Sequence, residues 1–362
     1  VKGHLAIARA LAGDLVIVCG PGGVGKTTTS AALALAAANR GRKTLVCTID
    51  PSKRLRTSLG LTHLHGAPQK VKGRLFAMRL DPKQTFDDLV RRHAASPEAR
   101  ERVLQNRFYQ QISRHLAGTH EVMAMEALMA IASDFDLIVL DTPPASSALA
   151  FLDAPRRVLD FVDGRVLRYF LKPYFVAGRL AVEPRTIVGR TFLRILDSSV
   201  GLQFLRELSE FFLAFEGLFD SFRQTANAME VRLKAPGTTF VLVTTPSASR
   251  VEEGVAFAEA LRARSLHAAA IIMNRVHPWA IEEPVMSGSS AKSVFPPDLL
   301  AELTVLADRE RTRAQGDSRR LKQMVSKSRL AGIAIPELPQ DVHDLGSLRT
   351  VASWLYPPSE VS

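Results

Sequence analysis

The sequence predicts an α/β protein built on a doubly wound, mostly parallel sheet with a helical, Phe-rich subdomain inserted, and three observations carry that prediction. The apolar run Leu15-Val16-Ile17-Val18-Cys19 enters Gly20-Pro21-Gly22-Gly23-Val24-Gly25-Lys26-Thr27-Thr28 and leaves through the alanine-rich stretch 28–35. Strand, glycine loop and helix follow one another there without a spacer. Further apolar runs alternate with helical stretches, which argues for parallel strands with helices on both faces. One of those runs, Asp136-Leu137-Ile138-Val139-Leu140-Asp141-Thr142-Pro143-Pro144, delivers a carboxylate at a strand's C-terminal edge, where such sheets bind ligands.

Leu5 through Cys19 is apolar enough to invite a signal-peptide reading, but it runs directly into the glycine loop without a small-residue cleavage pattern and reads as the first strand with its lead-in. A helix extends to about residue 40, and strands are predicted at 44–49 and 137–140. After a long helical excursion, runs at 239–244 and 268–273 return to the same sheet. A last strand at 332–335 precedes a C-terminal helix over 345–354. Met286-Ser287-Gly288-Ser289-Ser290 reads as a flexible loop. The organisation that results is a sheet domain in two parts, 1–154 and 236–362, interrupted by a helical subdomain at 155–235. In that subdomain Phe204, Leu208, Phe211, Phe215, Leu218 and Phe222 recur at three- and four-residue steps. Such a wide stripe serves either as core between neighbouring helices or as a groove for a partner helix.

With 362 residues, 46% of them hydrophobic and 23% charged, the chain has the composition of a globular protein with a substantial core. Its only cysteines, Cys19 and Cys47, form no disulfide framework or zinc motif and point to a reducing cytoplasm. Arg165, Arg168, Lys172 and Arg179 interrupt the best candidate for a membrane-spanning stretch. The formal net charge of +11 is compatible with an acidic partner, but the arginines are spread through helices and read first as solvated faces, including the run from Arg319 to Arg329.

The glycine loop has the chemistry of a phosphate cradle. Successive backbone N–H groups must turn inward around an anion, which Gly20, Gly22, Gly23 and Gly25 permit, with Val24 and Thr28 contributing amides at the loop's end. Lys26 then supplies a point charge to the outer phosphates and the Thr27 hydroxyl a Mg²⁺ ligand. Asp141 is placed to hold a Mg²⁺-bound water, and Asp50, after the strand at 44–49, to orient or deprotonate an attacking water. The alternative for Asp50 at this point is a helix N-cap.

These residues resemble the deviant Walker-A ATPases of the signal-recognition, MinD and BioD class, and within it the arsenite-pump and tail-anchored-protein-targeting (Get) family, particularly its bacterial members. Besides the loop, the resemblance rests on Thr48-Ile49-Asp50-Pro51-Ser52 as switch I, Gly118-Thr119-His120-Glu121 with its Met-rich helix, and Asp141-Thr142-Pro143-Pro144 as switch II followed by Phe151-Leu152-Asp153-Ala154-Pro155. It also rests on Asn274-Arg275 after a strand and on the segment from Pro336 to Pro339. The resemblance implies ATP and Mg²⁺ as cofactors, Asp50 and Lys26 as catalytic residues, and Thr27, Asp50 and Asp141 around the metal. Asn274 would contact adenine, and Pro339 would lie in the loop that closes over the base. It implies ATP-dependent closing of a dimer, homomeric or with a homologous subunit, around an apolar client helix.

Departures from the family pattern shape these expectations. The family carries a lysine where this chain has Pro21, and that lysine reaches the partner's phosphates; proline fixes φ and offers neither cation nor N–H. Slow hydrolysis by the isolated chain and a partner that retains the lysine are therefore expected. Ser146-Ser147 stand where the family has Gly-His, and the arsenite-binding cysteines are absent, which argues against an arsenite pump. A ParA- or MinD-like positioning ATPase would bind DNA or a membrane surface, but the Phe-rich insertion and the missing lysine oppose it. A peripheral membrane contact through Leu345, Leu348, Val351, Trp354 and Leu355 competes with simple docking of that helix on the sheet.

Overall fold

The computed structural model describes residues 2–50, 52–94, 96–107, 109–110, 113, 119–142, 153–157, 159–160, 219–282 and 296–357. The Phe-rich stripe at 204–218, the loop at 286–290, Gly118, Pro51, the switch II continuation at 143–147 and Phe151-Leu152 lie outside them. The chain divides into two units, one of Val1–Leu80, Ile131–Leu149 and Leu233–Ser362, the other of Asp81–Ala130 and Ala150–Arg232.

The first unit holds one eight-stranded sheet: β1 (Leu15–Cys19), β2 (Thr44–Thr48), β3 (Gln69–Lys72), β4 (Leu75–Arg79), β5 (Leu137–Asp141), β6 (Thr238–Thr244), β7 (Ala268–Val276) and β8 (Ala331–Pro336). Their spatial order is β3-β4-β2-β5-β1-β6-β7-β8, parallel throughout except for the antiparallel edge pair β3–β4. Strands β1, β2, β5 and β6 are buried at every position. That is why they read as unbroken apolar runs: side chains on both faces are buried, leaving no solvent side to alternate toward.

Helix α1 (Lys2–Ala12) replaces the expected extended lead-in to β1. Gly3, Ile7, Ala10 and Leu11 are its buried positions, at the three- and four-residue spacing of a helix face packed on β7 and β8. Helix α2 (Lys26–Asn39) is buried from Thr29 through Ala37, and this two-sided burial between sheet and C-terminal helix explains its alanine content. The short α3 (Arg54–Ser58) is pinned through buried Leu55 and Ser58.

In the second unit, α4 (Pro82–His93) starts at Asp81, whose side chain accepts from Gln84 N, with Pro82 at the first helical position. Helix α5 (Pro97–Gln105) follows, and Tyr109 is fully buried beside Phe86 with its hydroxyl donating to Asp87. Helix α6 (Thr119–Ile131) contributes Val122, Met123, Met125 and Leu128 as core, and α7 (Phe219–Lys234) contributes Ala226 and Met229. Glu126 accepts from Arg92 at 3.2 Å and from the Thr225 hydroxyl at 3.1 Å.

The return half of the sheet unit carries α8 (Ala248–Ala263), the one-turn α9 (Pro278–Ile281), the 32-residue α10 (Pro297–Ser328) and α11 (Leu345–Leu355). Arg319, Lys322 and Lys327 lie exposed on α10, a solvated face as read from the sequence. Asp344 and Ser347 form a capping box at the start of α11, and Leu348, Val351 and Leu355 are buried in the core. Among the described residues no helix is long and apolar enough to cross a membrane.

Candidate functional site

The register of the sheet assembles the site before any loop is considered. Asp141, last residue of β5, lies beside Val18 of β1 and Thr48 of β2, so three strand ends converge at the C-terminal edge. From the first turn of α2, Thr27 reaches the same point: its hydroxyl donates to Asp141 Oδ2 at 2.8 Å, and the Thr48 hydroxyl donates to that oxygen at 3.0 Å. Thr48 Oγ1 also accepts from Asp50 N at 3.1 Å, so one hydroxyl ties the segment carrying Asp50 to the carboxylate of β5. Asp141 is 1% exposed, and its other oxygen, Oδ1, is buried without a hydrogen-bond partner. Burial pushes its carboxyl up to about 6, against the opposing pull of the two hydroxyls and of Lys26. A buried carboxylate that keeps one oxygen unsatisfied is costly unless something cationic or protic comes to it.

The loop from β1 to α2 supplies the rest of the cradle. Gly25 opens α2 at φ 93°, and a Cβ there would stand 2.2 Å from Asn274 Nδ2. Gly20, at φ 152°, lies so close to β6 that a Cβ would meet Val243 O at 2.0 Å. The Lys26 ammonium is buried and donates to Gly20 O at 3.0 Å and Pro21 O at 2.8 Å. Burial pulls it below the usual lysine range, with Asp141 acting in the opposite direction. Pro21 is itself buried, so this position presents a carbonyl inward and no cation outward.

Two adjoining cavities open from this cradle. One of about 690 Å³ is lined by Gly23, Lys26, Thr27, Asp50, Arg54 and Arg275, among others. Asp50 is half-buried there, and its Oδ1 accepts from Ser52 N at 2.9 Å in a local turn. Helix α3 begins later, with Lys53 at its N-cap, so Asp50 is not that helix's cap. The other cavity, about 320 Å³, lies between Gly25, Thr29, Asn274, Pro336, Leu338 and Val342. Asn274 Nδ2 donates to Val24 O at 2.9 Å, which leaves its carbonyl oxygen without a described donor. Pro336 lines this pocket, whereas Pro339 is exposed and stands outside the lining.

Gly20, Gly22, Gly23, Val24, Gly25, Lys26, Thr27 and Thr28 thus form one continuous cradle with Asp141 beneath it, Asp50 at one rim and Asn274 at the other. Thr48 has no role in the sequence reading, since its contact with Asp141 depends on strand register and not on a motif. The cations Lys53, Arg54 and Arg275 around the larger cavity were likewise unassigned. Among the described residues no group of three His, Cys, Asp or Glu gathers as a metal cage. One carboxylate with a free oxygen and one hydroxyl, all hard oxygen donors, instead fit Mg²⁺, which keeps several waters and shares its shell with phosphates. The Cys19 thiol, pushed up to about 12 by burial, stays protonated, as does the still more strongly raised Cys47.

A family model for anion-transporting ATPases matches residues 14–292, which takes in the cradle, both aspartates and Asn274. The chain belongs to the anion-transporting ATPase family. Curated relatives are matched over shorter stretches. ATPase GET3 of Podospora anserina is 33% identical over 144 residues, 39% of this chain and 42% of that one. ATPase ARSA2 of Chlamydomonas reinhardtii is 32% identical over 146 residues, 39% and 38% respectively. An uncharacterized protein of Streptomyces coelicolor is 36% identical over 178 residues, 48% of this chain and 43% of its own. The chain therefore spans about two fifths of the length of the curated relatives it matches.

Proposed function

We propose that this member of the anion-transporting ATPase family is a Mg²⁺-dependent ATP hydrolase whose nucleotide cycle closes a dimer around an apolar client or partner. The observation that carries the enzymatic half is the unpartnered, buried Asp141 Oδ1 beside the Thr27 hydroxyl, under a glycine cradle that ends in a buried lysine. Nucleotide phosphates would replace the Gly20 and Pro21 carbonyls as acceptors for Lys26, exchanging neutral partners for charged ones. Thr27 and Asp141 would hold Mg²⁺, Asp141 through water, and the ion when bound supplies charge neutralisation to the outer phosphate oxygens. Asp50, with one oxygen engaged by Ser52 N, keeps the other to orient a water and take its proton. Asn274 contacts the base edge with the carbonyl oxygen that Val24 does not use.

The dimer and the apolar client rest on the family resemblance, and the Phe-rich segment that would form the client surface falls outside the described residues. Pro21 shapes the expected partnership: without a cation at that position the chain is proposed to work with a homologous subunit that bears a lysine there. Cytoplasmic residence belongs to the same reading.

The test is nucleotide binding and phosphate release by the purified chain with Mg²⁺ or EDTA, beside Asp50→Asn. Binding should persist in the variant while turnover falls by about 10²-fold or more. Unchanged turnover in Asp50→Asn, or no nucleotide binding by the parent protein, would reject the reading.

A further inference from the structure

The larger cavity holds more positive charge than Lys26 supplies, and one of its cations is distinguished by position. Lys53, Arg54 and Arg275 all line it together with Lys26, Thr27 and Asp50. Arg54 is the first residue of α3, whose backbone is anchored by Leu55 and Ser58 at 1% and 5% exposure. Its guanidinium is exposed and makes no hydrogen bond or ion pair to any described residue. A fixed base with a free, charged head is the arrangement that preorganises a cation without engaging it elsewhere.

Electrostatics favour such a group. Asp50 and Asp341 line the cavity and Asp141 lies beside Thr27, and a triphosphate adds more negative charge than Lys26 and one Mg²⁺ would balance. Pro21 contributes no cation, and its buried carbonyl engages Lys26. A guanidinium four residues beyond Asp50, on the same segment, would meet the terminal phosphoryl group from the side on which Asp50 holds water. Its planar fork can engage two equatorial oxygens at once, where charge develops during transfer.

We infer that Arg54 is a catalytic residue acting in cis, a guanidinium supplied by this chain to the terminal phosphate of its own bound nucleotide. The inference rests on the nucleotide reading of the cleft, but it does not require a second subunit to donate charge.

The experiment measures ATP binding and single-turnover phosphate release by the full chain for Arg54→Ala, Arg54→Lys, Lys53→Ala and Arg275→Ala. Arg54→Ala should retain nucleotide affinity within about tenfold and lose about 10³-fold in the chemical step, with Arg54→Lys recovering part of it. Lys53→Ala and Arg275→Ala should lose far less. The second arm mixes Arg54→Ala with Asp50→Asn protein. Action in cis leaves the mixture inactive, whereas restored activity would assign Arg54 to a partner's site and overturn the inference. An unaltered chemical step in Arg54→Ala, or a larger loss in Lys53→Ala, would also overturn it while leaving the nucleotide reading standing. Absence of ATP binding by the parent chain would defeat both.

Discussion

Two glycines of the same loop, replaced by alanine, should separate the fold's demand on the cradle from the ligand's. At Gly20 the new Cβ would lie 2.0 Å from Val243 O, while at Gly23 it would meet nothing within 4 Å. A carbon and a carbonyl oxygen approach to about 3.3 Å, so Gly20→Ala requires roughly 1.3 Å of separation between the loop and β6. Val243 has little freedom to give it, because β6 is paired on one side with β1 and on the other with β7. Backbone strain at φ 152° costs about 1–3 kcal/mol and forced overpacking about 1–3 more, giving about 4 kcal/mol in all. Gly23→Ala, at φ 76°, carries only the left-handed penalty of about 1–2 kcal/mol. The reduced entropy of the unfolded chain is the same for both and cancels in the difference, which should be about 2–3 kcal/mol. Urea unfolding followed by tryptophan fluorescence, without nucleotide, reads this directly, since Trp279 and Trp354 both lie in the sheet unit. Gly23→Ala should nonetheless lose nucleotide affinity, because its Cβ enters the larger cavity. Stabilities within about 0.5 kcal/mol of each other would refute the steric account of why position 20 is glycine.

Other substitutions probe the carboxylate and the base pocket. Asp141 carries a carboxyl raised from 3.8 to about 6, so the folded protein holds a proton that the unfolded chain releases, and this group's contribution makes stability fall as pH rises from about 4 to 6. Asp141→Asn should therefore melt higher than the parent at pH 8 by scanning fluorimetry, with the advantage shrinking toward pH 4, while Mg²⁺-dependent nucleotide binding is lost; a pH-independent difference would reject burial as the cause. Thr48→Val keeps the side chain's shape but removes both its bond to Asp141 and its acceptance from Asp50 N, and should lower kcat about tenfold with little change in KM. Gly25→Ala would displace the Asn274 amide from Val24 O, so it and Asn274→Ala should each reduce discrimination between ATP and GTP about fivefold in competition binding.

What could be read from the sequence follows from how each element is buried. Strands β1, β2, β5 and β6 are buried on both faces, so burial imposes an apolar residue at almost every position and the run itself is the signal. Edge strand β3, Gln69-Lys70-Val71-Lys72, has no such constraint and left no run to find. Helix α1 was missed for the opposite reason: only Gly13-Asp14 separates its apolar residues from those of β1, so the change from helical to strand period is easily overlooked. The cradle and Asp141 were legible because both are local, one a glycine loop and the other a carboxylate at a strand's end. Thr48 was not, since its value arises only when β2 and β5 pair in the register that sets it beside Asp141.

Pro21 shows how one substitution acts on the cradle at two levels. A residue with a side-chain cation at that position would have to project it away from the loop, yet the pyrrolidine here is buried and the residue engages Lys26 through its carbonyl. The loop thereby loses one N–H that could face an anion but keeps an acceptor that holds the lysine inside the site. In the proposed cycle a phosphate would share the Lys26 ammonium with the Gly20 and Pro21 carbonyls, so an additional cation would supplement what Lys26 alone supplies. Arg54 and a lysine-bearing partner are two ways to provide that charge, and they differ in one measurable respect. Charge supplied in cis makes the chemical step independent of protein concentration, whereas charge from a partner makes it rise with dimer occupancy. Turnover per subunit of the chain alone across a dilution series, with and without Arg54→Ala, tests the first: a concentration-independent step lost in the variant supports Arg54, whereas a step unchanged in the variant rejects it.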